Sequence, residues 1–140
     1  MNFVNADLIA AGLAPLRPQS AAMEAGRMFL GEIDRLARAR SDFSFESTLS
    51  GRSHIERMRL WSKAGYRLEI IYLKLESVTL ALKRIAGRVK EGGHDVPATD
   101  VTRRFTRSWH NFQHIYAPLS DAWWVYDAGS LPPTLVTRFP

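Results

Sequence analysis

No cysteine occurs among the 140 residues of the sequence, so a disulfide framework is excluded. No apolar run approaches the roughly 20 residues that a membrane-spanning helix requires. Asn2, Asn5 and Asp7 interrupt the amino-terminal segment, which therefore lacks the apolar core of a signal peptide. The four histidines show no spacing that is typical of metal ligands. Together these absences predict a cytoplasmic protein that has no membrane partner and no metal site.

The composition is that of a globular protein, with 46% hydrophobic and 24% charged residues. A chain of this length buries roughly two-thirds of its unfolded surface, so we expect one domain over residues 1–140. The formal net charge of +5 favours an anionic partner, whether a nucleotide, a phosphosugar or a nucleic acid. A basic surface is also common in proteins without such a partner, and the charge does not choose between these alternatives.

Apolar periodicity alternates between the strand period and the helix period along the chain. Strands are predicted near residues 3–4, 43–45, 67–75, 122–127 and 135–138. Helices are predicted near residues 8–13, 20–39, 53–64, 77–89 and 98–116. The helix 53–64 is expected to end at Gly65. The last helix carries an apolar stripe, formed by Val101, Phe105, Trp109, Phe112 and Tyr116. The segment 67–75 is almost continuously apolar, which is typical of a strand covered on both faces. The alternation predicts βαβ units, an α/β fold class and a mainly parallel sheet flanked by helices.

The segment Asp42–Arg52 joins a short strand to a loop that is rich in hydroxyl groups. Phe43 and Phe45 fall on one side of the strand, and Glu46 stands where the strand ends. In open α/β sheets, ligands bind at the carboxyl ends of strands, so this segment is interpreted as a substrate pocket. An ordinary loop, followed by a helix that begins with a capping box at Ser53–Glu56, is the alternative.

Asp7 is a second carboxylate at a junction between a strand and a helix. Its alternative role is to cap the amino terminus of that helix, which Asp does well. Further along, Gly92–Pro97 combines a flexible glycine pair with a stiff proline, which suits either a mobile flap or a plain connection. The helix that follows brings Arg103 and Arg104 in its first turns, where they would close over an anion.

Four segments, taken in order and at their spacing, resemble the zeta-toxin-like family of P-loop kinases. They are Asn5–Asp7, Phe45–Gly51, Gly92–Pro97 and Arg103–Ser108, and the resemblance runs over nearly the whole chain. The resemblance implies a three-layer α/β sandwich of the P-loop-kinase type. It also implies transfer of the γ-phosphate of ATP to a hydroxyl of a small molecule, such as a UDP-linked amino sugar.

The resemblance implies a role for each matching residue. Asp7 would be the general base that accepts the proton of the substrate hydroxyl. Glu46 would bind the substrate, and further substrate contacts would come from Thr48, Ser50 and Arg52. A flap at about residues 88–108 would carry the arginines that neutralise the transferring phosphoryl group, namely Arg88, Arg103 and Arg104. Of these, Arg103 and Arg104 would also contact ATP.

The sequence departs from the family in one respect, because it contains no Gly-x-x-x-x-Gly-Lys-Ser/Thr loop. By the resemblance, the first strand, this loop and its helix would lie upstream of Met1, so the domain is expected to be incomplete at its amino terminus. ATP and Mg²⁺ are expected for the complete domain, and residues 1–140 alone are expected to bind neither and to be inactive. The implied partners are a small-molecule substrate and an antitoxin protein, and a homo-oligomer remains open.

Two other functions remain open from the residues themselves. The chain could be a non-catalytic remnant that binds a substrate or forms oligomers. It could also be a basic module that binds nucleic acid through the helix face from Arg103 to His114. We disfavour the nucleic-acid module because no aromatic side chain interleaves that basic face and no known reading motif is present.

Overall fold

The computed structural model of the chain describes residues 1–93 and 95–140. Its fold is mixed α/β, as the sequence predicts, and its strands form two small sheets instead of one. Contacts divide the chain into two compact units, Met1–Ser47 and Thr48–Pro140, and each unit contains one of the sheets. Among the described residues, no helix is long and apolar enough to cross a membrane.

The first unit is built from two short strands and the helices between them. In chain order it contains β1 (Asn2–Val4), α1 (Ala6–Leu13), a 3₁₀ turn (Pro18–Ala21), α2 (Ala22–Arg38) and β2 (Phe43–Phe45). β1 and β2 pair in parallel, with Asn2 opposite Phe43 and Val4 opposite Phe45. Their carboxyl ends therefore lie at the same edge of the sheet.

Small side chains allow the helices of the first unit to approach closely. Ala10, Ala21 and Ala25 are buried together, so α1 packs against the start of α2 with little side-chain bulk between them. Further along α2, the ring of Phe29 meets the ring of Phe45 edge-on, with 5.7 Å between their centroids. This contact packs β2 against α2.

The second unit begins with an irregular segment and continues as helices and a three-stranded sheet. It contains α3 (Ile55–Lys63), β3 (Glu69–Lys74), α4 (Val78–Lys90), α5 (Ala98–Asn111), a π turn (Phe112–Tyr116), α6 (Ala117–Leu119), β4 (Ala122–Asp127) and β5 (Thr134–Phe139). The sheet order is β3-β4-β5. β3 and β4 run parallel, as the alternation predicts, and β5 adds an antiparallel edge.

Aromatic side chains join this sheet to α5 and the π turn. The ring of Tyr72 lies 5.3 Å from that of Trp109 and 4.6 Å from that of Phe112, and Trp123 meets Phe112 edge-on at 5.8 Å. The ammonium group of Lys74 lies 4.0 Å from the centre of the Trp109 ring, which adds a cation–π contact. The predicted apolar stripe of α5 is therefore the face that covers the sheet.

Two local predictions are wrong. β3 was predicted to be covered on both faces, but the side chains of Ile71 and Leu73 are 68% and 60% exposed, because α5 covers only the opposite face. The predicted capping box at Ser53–Glu56 does not form, because α3 begins at Ile55 after His54, with no side-chain cap hydrogen bond at its start. Glu56 is therefore one position too early in the helix for a capping box.

Candidate functional site

Polar side chains meet where β1 and β2 end. Asn5 follows β1 and Glu46 follows β2. The Nδ2 atom of Asn5 donates a hydrogen bond to Oε2 of Glu46, at 2.7 Å. Because the strands are parallel, both residues leave the sheet at the same edge, and the hydrogen bond fixes the direction of the Glu46 carboxylate. Glu46 is exposed, so its carboxylate is accessible to a ligand.

Asn5 also begins α1. Its Oδ1 atom accepts a hydrogen bond from the backbone N–H of Leu8, at 3.0 Å, which is the geometry of an N-cap. The alternative role for Asp7, as the cap of this helix, is therefore wrong, because Asn5 occupies the cap position. Asp7 lies in the first turn of α1 and is exposed, where the positive end of the helix dipole favours its charge.

The predicted substrate loop lies at the start of the second unit and has a defined conformation. The hydroxyl oxygens of Thr48 and Ser50 are 2.8 Å apart, and the Ser50 N–H donates to the Thr48 hydroxyl at 3.4 Å. Leu49 between them has a φ of +53°, in the left-handed region that leucine rarely adopts. Arg52 follows with an exposed side chain. The loop thus presents two hydroxyls and a guanidinium within five residues.

The floor of this loop comes from Asn111 and Tyr116. Asn111 donates a hydrogen bond to the Leu49 carbonyl, and Tyr116 donates one to the Gly51 carbonyl, each at 2.8 Å. Both side chains are buried, and burial raises the pKa of the Tyr116 hydroxyl. The phenol therefore stays protonated and remains a donor at neutral pH.

His54 follows the same loop at the start of α3 and is also buried. Burial lowers the pKa of its imidazole, and the nearby guanidinium of Arg57 lowers it further. The ring is therefore neutral in the folded protein at physiological pH.

The predicted flap begins with a defined helix end. Gly92 has a φ of +91°, and the Gly93 N–H donates to the Arg88 carbonyl at 2.7 Å. A Cβ atom on Gly93 would lie 2.8 Å from that carbonyl oxygen, so both glycines serve the carboxyl cap of α4. His94, within the predicted flap, lies outside the described residues. Whether residues 88–108 move as a flap stays a prediction.

The three flap arginines differ in their surroundings. Arg103 forms an ion pair with Asp100 one turn earlier, with 2.8 Å between Nη2 and Oδ1. Arg88 on α4 and Arg104 on α5 are exposed. α4 packs against α5, so these arginines lie on two neighbouring helices of the second unit. The ion pair orients Arg103 but is solvent-exposed, and such pairs are weak.

The predicted site residues therefore fall into three groups. Asp7, in the first turn of α1, and Glu46, directly after β2, belong to the first unit. Thr48, Ser50 and Arg52 lie on the loop that opens the second unit, and the arginines lie on α4 and α5. Within residues 1–93 and 95–140, no group of three or more His, Asp or Glu side chains could hold a metal ion.

The amino-acid sequence was also compared with known proteins. No family model matches the chain, and no solved structure matches it. Over 102 residues the chain is 34% identical to a Haemophilus influenzae protein named "Uncharacterized protein", and the alignment covers 73% of each chain. The chain belongs to the same family as this protein. The name of the Haemophilus influenzae relative states neither a substrate nor a reaction, so family membership assigns no activity.

In this member of the family, sequence analysis missed three residues that shape the candidate site. Asn5 was quoted in a motif without a role, although Asn ahead of a helix is a recognisable cap signal. Asn111 is a buried polar residue beside the apolar stripe of α5, and that position is its only local signal. Tyr116 was assigned to the apolar stripe of α5, and its ring is indeed buried. That assignment did not predict the hydrogen bond of its hydroxyl to the Gly51 carbonyl.

Proposed function

We propose that the chain is the acceptor-binding part of an ATP-dependent small-molecule kinase of the zeta-toxin type. Its substrate would be a polyhydroxy compound such as a UDP-linked amino sugar. The observation that carries the proposal is the fixed carboxylate of Glu46, held by Asn5 at the carboxyl ends of two parallel strands. Asp7 supplies a second, exposed carboxylate in the first turn of the adjoining helix.

The proposed chemistry assigns one task to each group. Asp7 accepts the proton of the acceptor hydroxyl as the hydroxyl oxygen bonds to the γ-phosphorus of ATP and the bond from that phosphorus to ADP breaks, so that ADP leaves. Glu46 accepts hydrogen bonds from neighbouring hydroxyls of the substrate. Arg88, Arg103 and Arg104 stabilise the negative charge that develops on the transferred group. Phosphoryl transfer needs mainly alignment and charge stabilisation, and these residue types supply both.

The sequence contains no Gly-rich loop ending in Lys-Ser/Thr, and the described residues contain no metal-binding cluster. We therefore assign no residue to Mg²⁺ and derive no step through it. The proposal requires that a strand, a P-loop and a helix from outside residues 1–140 supply the ATP site. It also places the reaction in the cytoplasm and implies an antitoxin protein as a partner.

The surroundings of β3 support the need for an additional strand and helix. β3 pairs with β4 alone among the described strands, so one of its edges is open. Ile71 and Leu73 on its uncovered face are apolar, as in a strand with an interior position. A further strand beside β3 and a helix over this face would complete the three-layer sandwich that the resemblance implies.

Calorimetric titration of the full chain with UDP-N-acetylglucosamine, as a probe of this substrate class, tests the proposal. We expect the unaltered chain to bind the probe and Glu46→Gln to bind it at least tenfold more weakly, because the variant loses the negative acceptor. Glu24→Gln, which changes an exposed carboxylate on α2, is the matched control and should leave the affinity unchanged.

Three outcomes would contradict the proposal. The first is absence of binding by the unaltered chain, and the second is equal affinity of Glu46→Gln and the unaltered chain. The third is tight binding of ATP with Mg²⁺ by residues 1–140, which would show that the donor site does not need an added loop.

A further inference from the structure

Two buried side chains hold the backbone of the loop that carries Thr48, Ser50 and Arg52. Asn111 is 6% exposed and donates from Nδ2 to the Leu49 carbonyl at 2.8 Å and to the Gly51 carbonyl at 3.5 Å. Tyr116 is fully buried and donates to the Gly51 carbonyl at 2.8 Å. Two adjacent turns of one helical segment thus fix carbonyls on both sides of Ser50.

The π turn brings these two side chains to the same loop. Residues five apart lie roughly 140° apart around an α-helix, so Asn111 and Tyr116 would face different directions in a regular helix. Between them the helix widens to i→i+5 hydrogen bonding, and the Ala117 N–H donates to the Phe112 carbonyl. Pro118 explains the widening, because it lacks an N–H and its ring crowds the carbonyl four residues earlier.

The loop conformation is one that the chain would not adopt unaided. Leu49 has a φ of +53°, and its carbonyl is the acceptor for Asn111. Non-glycine residues in this region persist only where the surroundings fix them, and such residues cluster at binding and catalytic sites. The hydroxyls of Thr48 and Ser50, 2.8 Å apart, face each other as a result.

We propose that Asn111 and Tyr116 are positioning residues that hold this loop ready for a nucleotide-sugar ligand. The inference rests on the proposed function and extends it to residues that do not themselves touch the ligand. The Arg52 guanidinium would contact the pyrophosphate, since the geometry of a guanidinium group suits paired hydrogen bonds to phosphate oxygens. The hydroxyls of Thr48 and Ser50 would contact the sugar or ribose.

Tyr116→Phe tests the inference because it removes one oxygen atom and leaves the ring in place. Tyr72→Phe is the matched control, since Tyr72 also makes one hydroxyl hydrogen bond of 2.8 Å, with Ser108, and belongs to the same unit. Both variants lose a comparable bond, so a difference between them reports the loop and not general stability. Asn111→Leu provides a second variant at the other anchor.

Two measurements on the full chain apply to these variants. Hydrogen exchange of the amides of residues 49–53, without ligand, should become at least about fivefold faster in Tyr116→Phe and Asn111→Leu, and stay unchanged in Tyr72→Phe. The dissociation constant for UDP-N-acetylglucosamine should rise about tenfold in Tyr116→Phe, the effect of losing one hydrogen bond to a pre-ordered site, and stay unchanged in Tyr72→Phe.

The outcomes separate this inference from the proposed function. If the unaltered chain binds the probe and Tyr116→Phe binds it equally well, the positioning role is wrong and the proposed function stands. The positioning role is also wrong if loop exchange is unchanged in both anchor variants, or if Tyr72→Phe weakens binding as much as Tyr116→Phe. If the unaltered chain does not bind the probe, the proposed function fails and this inference fails with it. Should Asn111→Leu not fold, Tyr116→Phe decides alone.

Discussion

Replacement of Asn5 should damage the first unit in two separable ways. The side chain caps α1 through its Oδ1 atom, 3.0 Å from the Leu8 nitrogen, and holds Glu46 through its Nδ2 atom, at 2.7 Å. Loss of an N-cap costs about 1 kcal/mol. Loss of an exposed hydrogen bond to a carboxylate costs about 0.5 to 1 kcal/mol, after allowance for solvent. We therefore expect Asn5→Ala to lower the free energy of unfolding by about 1.5 to 2 kcal/mol.

Asn5→Ser separates the two contributions. Serine caps a helix about as well as asparagine, but its hydroxyl is too short to reach Glu46. The variant should therefore lose only about 0.5 to 1 kcal/mol, and this loss should vanish when Glu46 is already replaced by alanine. The free energies come from urea unfolding followed by far-ultraviolet circular dichroism, with hydrogen exchange of the α1 amides as the local measure.

The reasoning has a clear point of failure. If Asn5→Ser and Asn5→Ala destabilise the chain equally, the bond to Glu46 contributes everything and the cap nothing. If Asn5→Ser costs the same in the presence and absence of the Glu46 carboxylate, the two side chains are not coupled. In that case the fixed direction of Glu46, on which the proposed substrate site depends, has no energetic basis.

Two further predictions concern the second unit. Burial lowers the pKa of His54 in the folded chain. The neutral imidazole therefore contributes stability that is fully present above about pH 6.5, the ordinary pKa of histidine. This stability is lost as the pH falls from there towards the lowered pKa of the folded chain. The free energy of unfolding should fall below pH 6.5 with an added slope of at most about 1.4 kcal/mol per pH unit, and His54→Gln should remove that slope; an unchanged slope would contradict the assignment. Gly92→Ala should destabilise the chain by about 1 to 2 kcal/mol because φ is +91° there, whereas Gly87→Ala, inside α4 with open space around it, should stabilise it by up to about 1 kcal/mol. Thermal unfolding of both alanine variants measures this, and a shift of the same sign in both would refute the account of the α4 end.

Local periodicity predicted the elements of this fold well because their apolar stripes are strong. α2 and α5 were expected at residues 20–39 and 98–116, and they occur at Ala22–Arg38 and Ala98–Asn111, the latter extended by the π turn. Gly65 was expected to end α3, and its φ of +89° and the Tyr66 N–H bond to the Trp61 carbonyl confirm this. Each of these features depends on residues close together in the chain.

Features that depend on distant residues escaped prediction. The exposure of Ile71 and Leu73 follows from what covers β3, and the apolar run of that strand is the same whether its second face is covered or open. The hydrogen bond from the Tyr116 hydroxyl to the Gly51 carbonyl joins residues 65 positions apart. A helical period alone therefore places Tyr116 in a core stripe and does not reveal its hydrogen bond.

For the candidate site too, the sequence predicted features that depend on neighbouring residues and missed those that depend on distant ones. Glu46 at a strand end follows from a short-range pattern, and the structure places it directly after β2. Asp7 was expected where the first strand ends, but β1 ends at Val4 and Asp7 lies in the first turn of α1. The hydrogen bond from Asn5 to Glu46 joins residues 41 positions apart, so it requires the register of β1 on β2. The sequence therefore allowed a proposal for the role of Glu46, but it did not show that Asn5 orients the Glu46 carboxylate.

The division at Ser47 has an optical consequence. All four tryptophans and all four tyrosines lie in Thr48–Pro140, and the aromatic residues before that point are phenylalanines. Tryptophan emission therefore reports the melting of the second unit and does not directly sense loss of the edge that carries Asp7 and Glu46. A gap between the emission curve and the far-ultraviolet curve would show that the amino-terminal unit melts separately. A preparation with native tryptophan fluorescence could therefore already have an unfolded first unit, in which Asp7 and Glu46 no longer hold their positions.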